Sequence, residues 1–278
     1  NQWEKLDIDK NQNYLKLNIK IINQIIKSSS IARNTWIKYA IWDIYIFLDD
    51  DIVIDSNYIK IAIGEFTKDN WLKWLAPKDI TIKNNDNIIL KLILFIFKLG
   101  SFNNYSSVLS SWQNTPINTW SISKNIEYLS PWYMIVHKNV FKKDKIYFPD
   151  NYMWRSFNEW VYFSYQVFKK YNHGLKYIPS LKVENIDIWG NKLEDNITLE
   201  KMKIIYRFIF WYKFIYNKSV KNFLSYILSQ LGLLLIDLIK LRKAGIYIIK
   251  IKTFYYIICN YKSIINNKKD FNSYIYKN

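Results

Sequence analysis

The sequence predicts an α/β domain followed by a basic helical region, and three observations support this. Near the start of the 278-residue chain, strand, helix and strand patterns alternate at 17–22, 31–41 and 44–48, the order of a parallel sheet with crossover helices. Half of the residues are hydrophobic, enough for a large core. Positive charge gathers toward the carboxyl end. We therefore divide the chain into an α/β domain at 1–190 and a basic, aromatic helical region at 191–278.

The first elements can be read from local pattern. Residues 17–22 alternate polar and apolar side chains, as a half-buried strand does. The serines at 28–30 offer hydroxyl caps for the helix that follows through 31–41. The apolar run at 44–48 is bounded and short, which is typical of a buried strand.

The middle of the chain continues the alternation. Asp55 or Ser56 can cap a helix through 57–66, and residues 87–100 form a second, strongly apolar helical pattern. Residues 101–128 lack a clear period and predict a loop, whereas 132–136 predicts a further strand.

The most regular helical pattern begins at Glu159. Its apolar positions recur at offsets of 3, 4, 7, 8 and 11, which places them on one face. They are Trp160, Phe163, Ser164, Val167, Phe168 and Tyr171. A carboxylate at the start of such a helix is favoured by the helix dipole, so Glu159 has a structural explanation as well as a catalytic one.

Three aspartates, Asp49, Asp50 and Asp51, directly follow the strand at 44–48. Residues two apart in an extended segment point the same way, so Asp49 and Asp51 could converge on one cation while Asp50 faces the other side. Mg²⁺ or Mn²⁺ held by carboxylates can take its remaining ligands from a diphosphate. The alternative is an acidic turn that caps the next helix.

The charge balance restricts the partners. The chain has 40 Lys and Arg against 23 Asp and Glu, a net charge of +17. From Lys201 onward there are fifteen Lys and Arg against Asp237 and Asp270, so this part carries +13. Phosphates, anionic lipid and nucleic acid are the partners that such charge favours. Nucleic acid binding is disfavoured here because it leaves the three aspartates unexplained.

Residues 204–216 and 246–261 alternate apolar and aromatic residues with Lys and Arg, as segments at a membrane interface do. We expect the tail to bind the anionic, cytoplasmic face of the cell membrane peripherally. The apolar stretch at 223–239 is interrupted by Gln230 and Asp237, which makes it a poor lone span but a plausible buried or interfacial helix. A solvated helical subdomain is the alternative.

Other enzyme classes lose support from what the sequence lacks. It contains neither a G-x-G-x-x-G nor a G-x-x-x-x-G-K-[ST] pattern, which disfavours dinucleotide oxidoreductases and P-loop NTPases. One cysteine, Cys259, excludes an intramolecular disulfide and suits a reducing compartment.

The stretch at 28–54, SSSIARNTWIKYAIWDIYIFLDDDIVI, resembles the family 2 glycosyltransferases of the GT-A fold, a Rossmann-like nucleotide-diphospho-sugar transferase fold. That family has an A-R-N helix and then an apolar strand that ends in L-D-x-D. The segments 129–143 and 147–183 look like the later strand, acidic helix and proline segments of the family. The resemblance covers roughly residues 15–190.

The resemblance implies a donor site for a nucleotide-sugar. It makes Asp49 and Asp51 the nucleotide and metal carboxylates, with Asp50 and Arg33 as further donor-site residues. Asn185 falls where many relatives have a metal-binding His, so it is the third expected ligand of Mg²⁺ or Mn²⁺. The implied reaction transfers the sugar, with inversion, to a hydroxyl of a polysaccharide, glycolipid or lipid-linked glycan.

Two departures from the family pattern bear on activity. Glu159 stands where the family has an Asp general base, and it is one methylene longer. Relatives also begin with a strand, helix and strand that hold the nucleotide base, and the residues before Leu17 are too few to supply them. We therefore expect a domain that is incomplete at its amino end, and a non-catalytic membrane scaffold of transferase ancestry is the alternative function.

Overall fold

A computed structural model of the chain describes most of the residues. They are 22, 24–49, 51–81, 88–102, 106–115, 123–129, 133–153, 157–172, 174–186, 197–239, 244–266 and 271–276. Asp50, residues 17–21 of the first predicted strand and the segment before them lie outside the described residues.

The described residues form strands β1 to β6 and helices α1 to α9. The strands are β1 (Ile44–Leu48), β2 (Ile52–Ile54), β3 (Trp74–Asp79), β4 (Lys124–Asn125), β5 (Tyr133–His137) and β6 (Leu175–Asn185). The helices are α1 (Ser29–Tyr39), α2 (Tyr58–Lys68), α3 (Ile88–Ile96), α4 (Asn139–Lys142), α5 (Glu159–Tyr171), α6 (Ile197–Trp211), α7 (Val220–Ile239), α8 (Ala244–Ile265) and α9 (Phe271–Tyr276). A π-helical turn (Tyr212–Tyr216) extends α6.

The sheet is mixed, with strand order β1-β5-β3-β6-β2, and β4 pairs with β6 off this path. Among the pairings of the described strands only β3–β6 is parallel. The predicted parallel sheet is therefore wrong for this part of the chain. The reason is β5, which enters between β1 and β3 and pairs antiparallel with both.

Local pattern did not reveal β3 and β6, because each contains a proline, Pro77 and Pro179. Proline lacks the N–H that a central strand uses in its ladder and so argues against a strand. The structure accommodates both residues at an irregularity, where the register between the two strands shifts after Pro77 and Ile178.

Apolar side chains cover both faces of the sheet. On one face, Trp74 and Phe141 pack with Phe163 of α5, where the Trp74 and Phe163 rings lie 4.7 Å apart. On the other face, Tyr58 and Ala62 of α2 pack on strand residues. The sheet is thus sandwiched between two helical layers, and its strand ends are left to carry polar side chains.

Helix caps decide where α1 and α2 begin. Ser28 caps α1 as predicted, because its hydroxyl accepts the backbone N–H of Ile31 at 3.2 Å. The expected cap of α2 is wrong: Asn57 precedes that helix and makes no side-chain cap. Asp55 instead accepts the backbone N–H of Asn57 at 2.8 Å, which closes the turn before the helix.

Helix α6 is buried against the α/β part of the chain. Tyr152 stacks on Tyr206 of α6 with ring centroids 4.0 Å apart, and its hydroxyl donates to the Tyr206 carbonyl at 3.1 Å. Phe210 and Trp211 lie in the same apolar cluster as Trp112. This differs from the expectation that residues 204–216 lie at a membrane interface, because the apolar residues of α6 face the protein.

Candidate active site

Arg33 lies between two carboxylates and brings three of the predicted residues together. Its Nη1 donates to Oε1 of Glu159, and its Nη2 is 3.5 Å from Oδ1 of Asp49. The three residues come from α1, the end of β1 and the start of α5. Because 14% of the Arg33 side chain and 35% of the Asp49 side chain are exposed, the cluster opens to solvent on the Asp49 side.

Asn34 fixes the position of α1 and thereby of Arg33. Its amide nitrogen donates to the Phe148 carbonyl at 2.9 Å and to Oδ1 of Asp150 at 2.6 Å. Its amide oxygen accepts the Phe148 backbone N–H at 3.1 Å. At the start of the helix, the Ser28 hydroxyl donates to the carbonyl of Tyr152 at 2.5 Å. The segment after Tyr147 thus holds the helix at two points.

Glu159 is buried at the first position of α5, and both of its oxygens have partners. Arg33 donates to Oε1 and the Ser30 hydroxyl donates to Oε2. A carboxylate at a helix start is stabilised by the dipole, and a guanidinium partner adds charge-assisted hydrogen bonds. In this arrangement both carboxylate oxygens are engaged, so access to a substrate hydroxyl requires one of the two partners to leave.

Asn158, directly before Glu159, has an unusual backbone and an unsatisfied side chain. Its φ of 68° lies in the left-handed region, which Asn tolerates better than most residues. The residue is buried, and its Nδ2 has no hydrogen-bond partner in the part of the chain that the structure describes. A buried donor of this kind carries a desolvation cost that a ligand acceptor would relieve.

Asp51 and Asn185 are neighbours across the β2–β6 ladder. Ile52 pairs with Asn185, and the N–H of Ile186 donates to the Asp51 carbonyl at 2.9 Å. Oδ1 of Asp51 is buried and has no hydrogen-bond partner among the described residues. An orphaned carboxylate oxygen fits a hard divalent cation, whereas the ladder places Asn185 opposite Ile52 and not opposite Asp51.

Asp49 and Asp51, which strand alternation predicts to share one cation, have different surroundings. Asp49 faces Arg33, whereas Asp51 lies against the end of β6. Within the described ranges no group of three or more His, Cys, Asp and Glu is placed to hold a metal ion. Asp50 lies outside those ranges, so its predicted role in donor binding stays a prediction.

Arg207 of α6 is a further basic residue that sequence analysis did not assign to the site. Its guanidinium lies 4.3 Å from the Trp112 ring centroid and 4.8 Å from that of Phe157, two residues before Glu159. Burial lowers the pKa of Arg207 to about 10. The sequence offered one indication of this. Arg207 lies inside the apolar run IIYRFIFW, and a cation in such a run is normally paired inside the protein.

Comparisons with known proteins give likenesses at low identity only. No family model and no curated protein matches the sequence. Among solved structures, residues 1–349 of TarS from S. aureus match with a TM-score of 0.39 and 15% identity, covering 80% of this chain. This chain spans 65% of the length of that structure.

A second structure of S. aureus TarS 1–349, in complex with UDP-GlcNAc, matches with a TM-score of 0.43 and 13% identity. The match covers 91% of this chain and 78% of the TarS chain. At these TM-scores neither likeness assigns an activity, and the assignment of function rests on the residues of this chain.

Proposed function

We propose that this chain is a glycosyltransferase that moves a sugar from a nucleotide-diphosphate sugar to a hydroxyl acceptor. The observation that supports this best is the single cluster formed by Asp49, Arg33 and Glu159. It brings together, from three separate elements, the residues that the resemblance to family 2 glycosyltransferases assigns to donor and acceptor chemistry.

On the donor side, Arg33 would bind a phosphate through its Nη2, which now lies 3.5 Å from Oδ1 of Asp49. Asp51 would hold Mg²⁺ or Mn²⁺ through its orphaned oxygen; Asp49 would join it by turning from Arg33, with Asn185 as the third ligand, and Asp50 would complete the donor contacts. A bound cation supplies neutralisation of the charge that develops on the leaving nucleoside diphosphate.

On the acceptor side, Glu159 takes the proton of the acceptor hydroxyl. The hydroxyl oxygen then bonds to the anomeric carbon as the bond from that carbon to the diphosphate oxygen breaks, which inverts the configuration. Because Arg33 and Ser30 occupy both oxygens of Glu159, this role requires Arg33 to leave Oε1 when substrates bind. If the pair stays closed, Glu159 is a positioning residue for Arg33.

Two substitutions separate these roles of Glu159. If Glu159 is the general base, kcat should fall roughly a hundredfold or more in Glu159→Gln and should recover in part in Glu159→Asp. If Glu159 only positions Arg33, both variants should keep the pH dependence of kcat, while their KM for the donor rises.

The acceptors proposed are a polysaccharide, a glycolipid or a lipid-linked glycan, and the location is the cytoplasmic face of the cell membrane. A non-catalytic scaffold of the same ancestry is the second candidate. It would bind membranes but release no nucleotide from any donor.

The first test is calorimetric titration of the chain with UDP-, GDP- and dTDP-sugars, with and without Mn²⁺. UDP-GlcNAc belongs in the panel because one of the TarS structures contains it. We expect metal-dependent binding of one nucleotide class that Asp51→Asn abolishes. Asp43→Asn is the matched control. Asp43 directly precedes β1, at the end of the strand away from Asp49, and its exposed side chain pairs with Lys138.

The outcome that contradicts the proposal is a folded protein that binds no donor with or without Mn²⁺. Binding that is equal in Asp51→Asn and the parent chain would remove Asp51 from the site while keeping the donor. Steeply salt-dependent binding of an oligonucleotide, without any donor binding, would favour a nucleic-acid partner instead.

A further inference from the structure

Helix α7 buries polar side chains and exposes apolar ones, the opposite of a helix whose outer face lies in water. Its inward face carries Ser225, Ser229, Gln230 and Asp237, all of them buried. Its outward residues are apolar and exposed, namely Val220, Phe223, Leu224, Ile227, Leu231, Leu238 and Ile239. A surface helix in water does the opposite, because each square ångström of apolar surface left in water costs roughly 25 cal/mol.

Helix α8 exposes apolar residues as well. Lys250 and Thr253 are buried on its inner side together with Ile246, Ile257 and Ile264, while its outer side exposes a row of apolar and aromatic residues. They are Ile248, Ile251, Tyr255, Ile258 and Tyr261. Two consecutive helices that expose rows of apolar residues indicate a solvent less polar than water.

One charged residue of α7 and one of α8 are paired inside the protein. Lys250 pairs with Asp237 of α7 and lies 3.4 Å from Glu200 of α6, which also holds Lys203 at 2.8 Å. This network keeps Asp237 and Lys250 off the outer faces. Ionised groups inside a membrane protein face its interior and pair with one another in the same way.

Helix α3 adjoins this surface and is apolar in the same sense. It has no buried residue and exposes Ile88, Ile89, Leu92, Phe95 and Ile96. The chain directly after it packs on α7, because a Cβ at Gly232 would lie 2.6 Å from Cγ of Phe97 and 3.0 Å from Cδ1 of Leu99. We call the outward residues of α3, α7 and α8 the apolar surface.

We infer that the apolar surface inserts into the hydrocarbon edge of a lipid bilayer, with α7 and α8 immersed on one side only. Helix α7 alone among the described helices passes the length and hydropathy test for a span, at 20 residues and a mean hydropathy of 1.6. Its inner face packs on protein, so it lies in the interface. This inference specifies how the protein binds the membrane named in the proposed function, and it rests on that proposal for the location.

The exposed lysines beside the apolar surface match a membrane and not a second protein copy. Lys218 and Lys221 are exposed at the start of α7, and Lys252 and Lys262 are exposed on α8. Lysines placed beside an apolar face reach anionic headgroups while their stems stay in the hydrocarbon boundary. The exposed Tyr255 has the amphipathic ring that is enriched at that depth.

The single cysteine gives a direct probe, because Cys259 is exposed on α8 beside Ile258. An environment-sensitive fluorophore on Cys259 should shift to the blue when phosphatidylcholine vesicles are added. Brominated acyl chains should then quench it. In a Cys259→Ser background, the same fluorophore at Ser180→Cys, an exposed position on β6, should respond to neither.

Paired substitutions test the surface itself. Leu224→Asp with Leu231→Asp should lower the vesicle partition coefficient on the order of tenfold or more, because two exposed leucines lose their transfer into hydrocarbon. Ile59→Asp with Ile63→Asp, equally exposed apolar residues on α2, should leave it unchanged. Circular dichroism of each variant establishes that the fold is intact.

Three results would overturn the inference. One is binding restricted to anionic vesicles and reversed by high salt, which indicates charge alone. Another is a dimer without vesicles that Leu224→Asp with Leu231→Asp disperses, which assigns the surface to a second copy. The third is a fluorophore on Cys259 that brominated lipid does not quench. Donor titration of the same variants is a separate readout, so failure of transferase function and failure of insertion are distinguishable.

Discussion

Arg33 and Glu159 form an ion pair whose two members are not equally replaceable. Glu159 is the more deeply buried of the two, and removing Arg33 would leave it with the Ser30 hydroxyl but without its guanidinium partner. Arg33 keeps Asp49 at 3.5 Å if Glu159 is removed. The cost of an uncompensated buried charge therefore falls mainly on Glu159.

We expect Arg33→Met to lower the free energy of unfolding by about 3–5 kcal/mol and Glu159→Gln to lower it by less. The double variant should cost less than the sum, because it leaves no unpaired charge. Urea unfolding of the four proteins measures the cycle. The pair Lys68–Glu65, in which the lysine is 75% exposed, serves as the control and should show little coupling. Additive effects at Arg33 and Glu159 would show that the two side chains are not paired in solution.

Part of this cluster could be predicted from the sequence, and part could not. The motif order placed Arg33, Asp49 and Glu159 in one site, and the structure does bring them together. The roles of Ser30 and Asn34 were not predictable, because their partners lie more than a hundred residues away in the chain. Local pattern contains no information about such distant partners.

At the scale of elements, the docking of α7 depends on a glycine. Gly232 lies so close to Phe97 and Leu99 that a Cβ at this position would have to displace side-chain atoms of both residues. Gly64 in α2 is different, because nothing lies within 4 Å of a Cβ at that position. The two helical glycines therefore make a matched pair for substitution by alanine.

We expect Gly232→Ala to destabilise the protein by about 1–3 kcal/mol, as overpacking does. Gly64→Ala should stabilise it by about 0.5–1 kcal/mol, because alanine is the better helix former. Thermal unfolding monitored by circular dichroism measures both. Equal and small effects of the two changes would show that α7 does not pack on Phe97.

Sequence periodicity predicted helices in this region but not which of their faces turns inward. The count of basic residues suggested a positively charged interface, whereas Lys250, Arg207 and Lys203 are turned toward the interior. Whether a lysine is a surface charge or half of an internal pair depends on residues in other helices. Here Lys250 of α8 meets Asp237 of α7 and Glu200 of α6.

At the scale of the whole molecule, one apolar cluster continues across the predicted boundary at 190. It contains Trp112, Tyr152 and Val161 from the α/β part together with Met202 and Phe210 from α6. The helical region therefore completes the core of the α/β part instead of hanging from it.

We expect a chain that ends at residue 186 to lose cooperative unfolding and to bind a hydrophobic dye, because Tyr152 and Tyr162 lose the rings that cover them. Co-expression with a 197–278 fragment should restore a cooperative transition. Calorimetric unfolding and dye fluorescence are the measurements. A 1–186 piece with the melting temperature of the full chain would contradict the shared core.

Tyr152 stands between the helices and the active-site cluster. The hydroxyl of Ser28 at the start of α1 donates to its carbonyl, while its own ring and hydroxyl hold Tyr206 of α6. A tilt of α6 would therefore shift α1, in whose second turn Arg33 donates to Glu159. If the apolar surface inserts and the cluster transfers a sugar, as proposed, then bilayer thickness and lateral pressure act on the chemistry, and turnover should differ between detergent micelles and membranes of different acyl length.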